Sequence, residues 1–137
     1  MSDELIITSR TEDLQIVREF IETRLVPLPF TEKERANIVF CLIEAAINAM
    51  NHGNLNDPEK PVKITFDSFP DKIVLAVTDQ GCGFDPETIG DPREPTHLKR
   101  PSGRGIFFMR QMLSKVDFKF SDSCTTVILE KYFKGKK

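Results

Sequence analysis

The chain has 137 residues, 39% of them hydrophobic and 29% charged, with a formal net charge of −2. That is enough apolar material for one domain spanning 1–137 with a real core, and it argues against a disordered chain. The slight acidic excess disfavours nucleic acid as a main partner, since the basic residues cluster only in the tail, at Lys131, Lys134, Lys136 and Lys137. The three cysteines, Cys41, Cys82 and Cys124, show neither an even count nor CxxC spacing, so neither a disulfide framework nor a zinc site is suggested. No basic, apolar leader opens the chain, and no run approaches the roughly 20 apolar residues of a membrane helix. A soluble, cytoplasmic protein with no membrane partner is expected.

Leu5-Ile-Ile-Thr-Ser9 reads as a first strand. Ser9 and Glu12 have capping-box spacing, and Leu14, Val17, Ile21 and Leu25 then recur at helical intervals. Pro27 and Pro29 break that pattern. Thr31 and Glu34 form a second capping box, which opens a long helix that Gly53 is placed to end.

Beyond a turn-rich segment the period changes to two. Val62, Ile64 and Phe66 alternate with polar residues, Pro70-Asp71 marks a turn, and Ile73-Val-Leu-Ala-Val77 follows. This predicts an antiparallel hairpin whose second strand, apolar on both faces, lies centrally in a sheet. Residues 85–104 hold four prolines and few apolar groups, the profile of a functional loop. Ile106, Met109, Leu113 and Val116 resume helical spacing, and Phe107, Phe108, Phe118 and Phe120 read mostly as core. Asp117–Phe120 and Thr125–Leu129 predict a closing hairpin. The order β-α-α-β-β-loop-α-β-β predicts an α+β two-layer sandwich, with helices on one face of a mainly antiparallel mixed sheet.

Three constellations carry chemistry. Between Ile38 and Met50 only Glu44 and Asn48 are strongly polar, four apart and therefore on one side of the long helix. Such a pair suits a general base, Glu44, beside a magnesium ligand, Asn48, because Mg²⁺ keeps several waters and needs few protein ligands. Next, Asp79-x-Gly81-x-Gly83 follows a strand. Its glycines let the backbone approach a flat ligand, and its carboxylate can accept a hydrogen bond from an exocyclic amine such as that of adenine. Last, Gly103-Arg104-Gly105 heads a helix, where free N–H groups and the helix dipole favour phosphate. The spacing of a Walker A loop is absent. His52 reads as a helix-end residue rather than a metal ligand.

Taken together and in this order, the three resemble the motifs of the GHKL (Bergerat-fold) ATPases. Glu44-x-x-x-Asn48 with His52-Gly53 is similar to their N box. Asp79-Gln-Gly-Cys-Gly-Phe-Asp85 resembles the first glycine box, and Gly103-Arg-Gly-Ile-Phe-Phe-Met-Arg110 the second. Within that superfamily the wording Glu44-Ala-Ala-x-Asn48-Ala-x-x-His52-Gly53-Asn54 is similar to that of the bacterial anti-sigma-factor serine/threonine kinases.

The resemblance implies the Bergerat ATP-binding fold, with ATP and Mg²⁺ as cofactors. Asp79 would bond the adenine amino group, Gly81 and Gly83 would shape the adenine pocket, and Asn48 would hold magnesium. Gly103, Arg104 and Gly105 would line the phosphates, residues 90–104 would form a lid, and Glu44 would be the base. Thr125 falls where the superfamily has a threonine near adenine, although Cys124 here replaces the preceding glycine. The implied function is phosphorylation of an anti-anti-sigma protein together with sequestration of a sigma factor, in a homodimer. The alternatives are an ATP-binding sequestering module without phosphoryl transfer and an ATP-hydrolysing regulator of another signalling protein.

Overall fold

A computed structural model describes residues 2–54, 57, 59–80, 103–120 and 124–133, with 52, 53 and 103–105 described by backbone alone. The elements are β1 (Ser2–Ile7), α1 (Leu14–Leu25), α2 (Glu32–Asn48), β2 (Val62–Ser68), β3 (Lys72–Asp79), α3 (Gly103–Met112), β4 (Lys115–Phe120) and β5 (Thr125–Tyr132). The strands form one sheet in the order β1-β2-β3-β5-β4, and all four pairings are antiparallel. The element order and the α+β class are those read from the sequence. β3 takes the central position, between β2 and β5, as its two apolar faces require.

Alternation sends one side of each strand into the core. Val62, Ile64 and Phe66 of β2, Ile73, Leu75 and Val77 of β3, and Val127 and Leu129 of β5 are all buried. They meet Val17, Ile21 and Leu25 of α1 and Ile38, Leu42 and Ala46 of α2 in one continuous cluster. Each large side chain buried this way contributes about 1.5–3 kcal/mol. Two ion pairs add links between neighbouring elements. Arg24 of α1 donates to Asp3 of β1 at 2.8 Å, and Lys72 of β3 donates to Glu130 of β5 at 2.7 Å.

α2 opens as the sequence predicts. The Thr31 hydroxyl accepts from the Glu34 N–H at 3.1 Å, and the Glu34 carboxylate accepts from the Thr31 N–H at 2.9 Å. The Ser9/Glu12 box does not form. No side chain caps the helix entry; Asp13 instead ties it back to the end of β1, accepting from both the N–H and the hydroxyl of Thr8 at 2.9 and 2.8 Å. Ser9 is buried and donates its hydroxyl to the Lys60 carbonyl, so its side chain is committed elsewhere. β1 starts at Ser2, earlier than its apolar run, because ladder pairing to β2 extends to Asp67.

α2 passes into a π turn over Ala49–Gly53. The helical stretch does end at Gly53, but the residue after it, Asn54, is right-handed (φ −91°, ψ −3°), and its N–H reaches back to the Ala49 carbonyl at 2.8 Å. α3 ends at Met112, so Val116 belongs to β4 rather than to the helix. Three of the four phenylalanines expected in the core, Phe107, Phe108 and Phe120, are exposed, while Phe118 packs partly against it. Among the described residues no helix is long and apolar enough to cross a membrane.

Candidate functional site

Three elements bring the predicted polar groups together where α2 passes over one end of β3 and β5. Asn48 sits in the last turn of α2, Asp79 is the final residue of β3, and Thr125 is the first of β5. Asp79 and Thr125 are register partners, so their side chains leave the same end of neighbouring strands on the same face. With Ala45, Ala49, Val77, Met109, Phe118 and Val127 these three residues line one cavity. Ala45 and Ala49 flank Asn48 on the helix. Their methyl side chains leave space that a leucine would fill.

The cavity holds about 20 Å³. That is room for about one water molecule, so these side chains make a floor rather than a complete purine site. A larger depression of about 450 Å³ lies elsewhere, between α1 and α2, lined by residues such as Arg18, Val26, Arg35 and Phe40. It contains none of the motif residues.

The polar chemistry of the smaller cavity fits a heterocycle that carries both a donor and an acceptor. Asp79 is 4% exposed, and its carboxylate accepts from the Thr125 N–H at 3.3 Å. The Thr125 hydroxyl is buried without a hydrogen-bond partner among the described residues. An unmet buried hydroxyl costs about 1–3 kcal/mol, which a ligand polar atom would recover. On the other face of the same strands, Thr78 and Thr126 pair their hydroxyls at 2.9 Å, so the orphan is confined to the cavity side.

Glu44 and Asn48 are both half-buried on α2, one turn apart. The charge of Glu44 is felt at Cys41, whose thiol is pushed up to about 12, first by burial and then by that carboxylate, with Lys131 opposing. Among the described residues no group of three or more His, Cys, Asp or Glu is placed to hold a metal. An all-protein cage is therefore not part of the described site, whereas a largely hydrated Mg²⁺ on one amide oxygen is compatible with it. Gly103, Arg104 and Gly105 form the first turn of α3, the end where helix N–H groups lack intrahelical partners. Gly81, Gly83 and lid residues 90–102 lie outside the described residues.

Residues 7–131 match the model of the histidine kinase-like ATPase domain. The chain belongs to this family. ATP is the nucleotide that a histidine kinase-like ATPase domain uses. The chain is 26% identical to the serine-protein kinase RsbW of Bacillus velezensis, over 98% of its own length and 87% of the relative's. It is 29% identical to the anti-sigma F factor of Geobacillus kaustophilus, over 95% of this chain and 91% of that one. Among solved structures it is similar to the RsbU and RsbW domains of a Mycobacterium tuberculosis protein. The TM-score there is 0.68 at 14% identity, covering 96% of this chain and 32% of that one.

One residue of this histidine kinase-like ATPase domain was given no role from the sequence. Asn54 is fully buried, and its side chain joins the end of the π turn to three other segments. Its place directly after His52-Gly53 was visible, but its partners are distant in sequence and could not be read from spacing.

Proposed function

We propose that the protein is an ATP-dependent serine/threonine protein kinase that acts as an anti-sigma factor. It phosphorylates an anti-anti-sigma partner and sequesters a sigma factor, as a homodimer in the cytoplasm. The observation that carries this reading is the convergence of Asn48, Asp79 and Thr125 on one cavity in a histidine kinase-like ATPase domain. Similarity over most of both chains to proteins named serine-protein kinase and anti-sigma F factor supports the choice of substrate class.

In this reading Asp79 accepts a hydrogen bond from the adenine amino group, and the Thr125 hydroxyl supplies the neighbouring polar contact. Gly81 and Gly83 give the ring close access to the backbone. The N–H groups of Gly103, Arg104 and Gly105 bind phosphate oxygens at the start of α3, where the helix dipole favours negative charge. Asn48 would hold Mg²⁺, which when bound neutralises charge on the phosphate oxygens. Glu44 accepts the proton of the attacking serine or threonine hydroxyl. The γ-phosphoryl group then passes to that oxygen and ADP leaves. Such catalysis rests chiefly on positioning and electrostatics, and the base adds about 10²- to 10⁴-fold.

The test is incubation with γ-labelled ATP, Mg²⁺ and an anti-anti-sigma protein. Label on a partner serine or threonine is expected. ATP binding without label would select the sequestering module instead.

A further inference from the structure

We infer that Asn54 is a positioning residue for the nucleotide site, holding the end of β3, and with it Asp79, against the end of α2. This rests on the reading of Asp79 as an adenine contact.

The Asn54 side-chain oxygen accepts from the Gln80 backbone N–H at 2.7 Å. Its amide nitrogen lies 3.0 Å from the Ser9 hydroxyl, 2.9 Å from the Lys60 carbonyl and 3.1 Å from the Pro61 carbonyl. The orientation of the amide is fixed by chemistry: a backbone N–H can only donate and two carbonyls can only accept. Ser9 adds a further link by donating to the Lys60 carbonyl at 2.9 Å. One fully buried side chain therefore joins four places: the end of the π turn, the segment after β1, the segment before β2 and the first residue beyond β3.

Two of those places matter for the site. Asn54 follows Asn48 by six residues, across a π turn closed by its own N–H. Gln80 follows Asp79 directly, at the point where β3 leaves its ladder with β5. Asp79 pairs with Thr125 at the last rung, where a strand frays first, and Gln80 has no rung of its own in that ladder. The Asn54 oxygen supplies the missing tether. Without it the Asp79 carboxylate keeps its chemistry but loses a fixed distance to α2. A donor–acceptor pair held within about half an ångström is what a preorganised site needs.

The Ser9 side of the junction gives a control. Ser9→Ala removes two contacts of the same network while leaving the Gln80 contact in place. Both Ser9→Ala and Asn54→Ala are expected to lower the melting temperature. Only Asn54→Ala is expected to weaken ATP binding by titration calorimetry, by about tenfold. Wild-type protein provides a second readout that needs no variant. The Gln80 amide should exchange with solvent as slowly as the terminal β3 amides, although Gln80 itself is exposed.

Equal ATP affinity of Asn54→Ala and Ser9→Ala would overturn the inference, as would a Gln80 amide exchanging at the unfolded-chain rate. Asp79→Ala separates the two levels of the argument. Loss of binding in Asp79→Ala but not in Asn54→Ala sinks the positioning role alone. Unchanged binding in Asp79→Ala sinks the reading of the site itself.

Discussion

The backbone N–H of Thr125 donates to the Asp79 carboxylate at 3.3 Å, across the last rung between the two central strands. The contact aims a buried acid along the sheet end and leaves the Thr125 hydroxyl beside it without a partner among the described residues. An acid next to an unmet hydroxyl is a poor arrangement for an empty core and a good one for a purine edge. Asp79→Asn keeps the size of the side chain but turns half of the carboxylate into a donor. We expect ATP affinity to fall about 10- to 100-fold, the value of one hydrogen bond to a charged group. Calorimetric titration against ATP measures this directly.

Glu44 and Asn48 stand one turn apart on α2, and only Asn48 lines the cavity. Their substitutions should therefore separate. Glu44→Ala is expected to lower phosphoryl transfer by about 10²- to 10⁴-fold while ATP affinity stays near the wild-type value. Single-turnover transfer alongside equilibrium binding distinguishes the two effects.

Asn48→Ala should act on binding instead. The loss is expected when Mg²⁺ is present and should shrink when the metal is chelated. Titrations in Mg²⁺ and in chelator compare the two conditions. An equal loss in both would remove Asn48 as the metal's ligand.

Thr31→Ala breaks the capping box at the start of α2, far along the helix from Asn48. It should cost about 1 kcal/mol of stability. ATP affinity should not change, because the last turn of α2 is held by core packing and not by the cap. Denaturant unfolding and an ATP titration of the same preparation give both values.

Cys41 carries a pH prediction. Its thiol is raised from 9.0 to about 12, by burial and by the nearby Glu44 carboxylate. A group whose pKa is higher in the folded state stabilises the fold fully below its unfolded value and loses that contribution as pH rises through the folded one. Stability should accordingly fall between about pH 9 and 12 in the wild type, and less so in Cys41→Ala. With Cys82 and Cys124 replaced by serine, alkylation of Cys41 at neutral pH should proceed only as fast as the protein opens. Comparing labelling with amide exchange checks that.

Much of this architecture was visible in the chain because it rests on local rules. The Thr31/Glu34 box, the alternation of Val62, Ile64 and Phe66, and the two-faced apolar run of β3 each encode their own outcome. Failures occurred where a distant partner outcompeted a local one. Ser9 matched a capping pattern but is taken by Lys60 and Asn54. Val116 fell in phase with α3, yet the chain turns at Leu113 and Ser114, where the Ser114 N–H pairs with the Glu130 carbonyl. Phe107 and Phe108 satisfied a count of apolar residues, but the buried stripe of α3 is Ile106 and Met109. In the site, Asn48 stood out as a polar residue in an apolar helix, and Asp79 as the acid between a strand and Gly81-x-Gly83. Asn54 did not, because its four partners lie in segments that only the folded chain brings together.

The central claim is that adenine nucleotide enters between α2 and the ends of β3 and β5. Titrating isotope-labelled protein with ATP and Mg²⁺, and following backbone amide shifts, tests it most directly. The expected result is saturable movement of the Asp79, Gln80 and Thr125 amides, with Val26 and Phe40 of the α1–α2 depression unmoved. Saturation that shifts Val26 and Phe40 while Asp79 and Thr125 stay in place would contradict it.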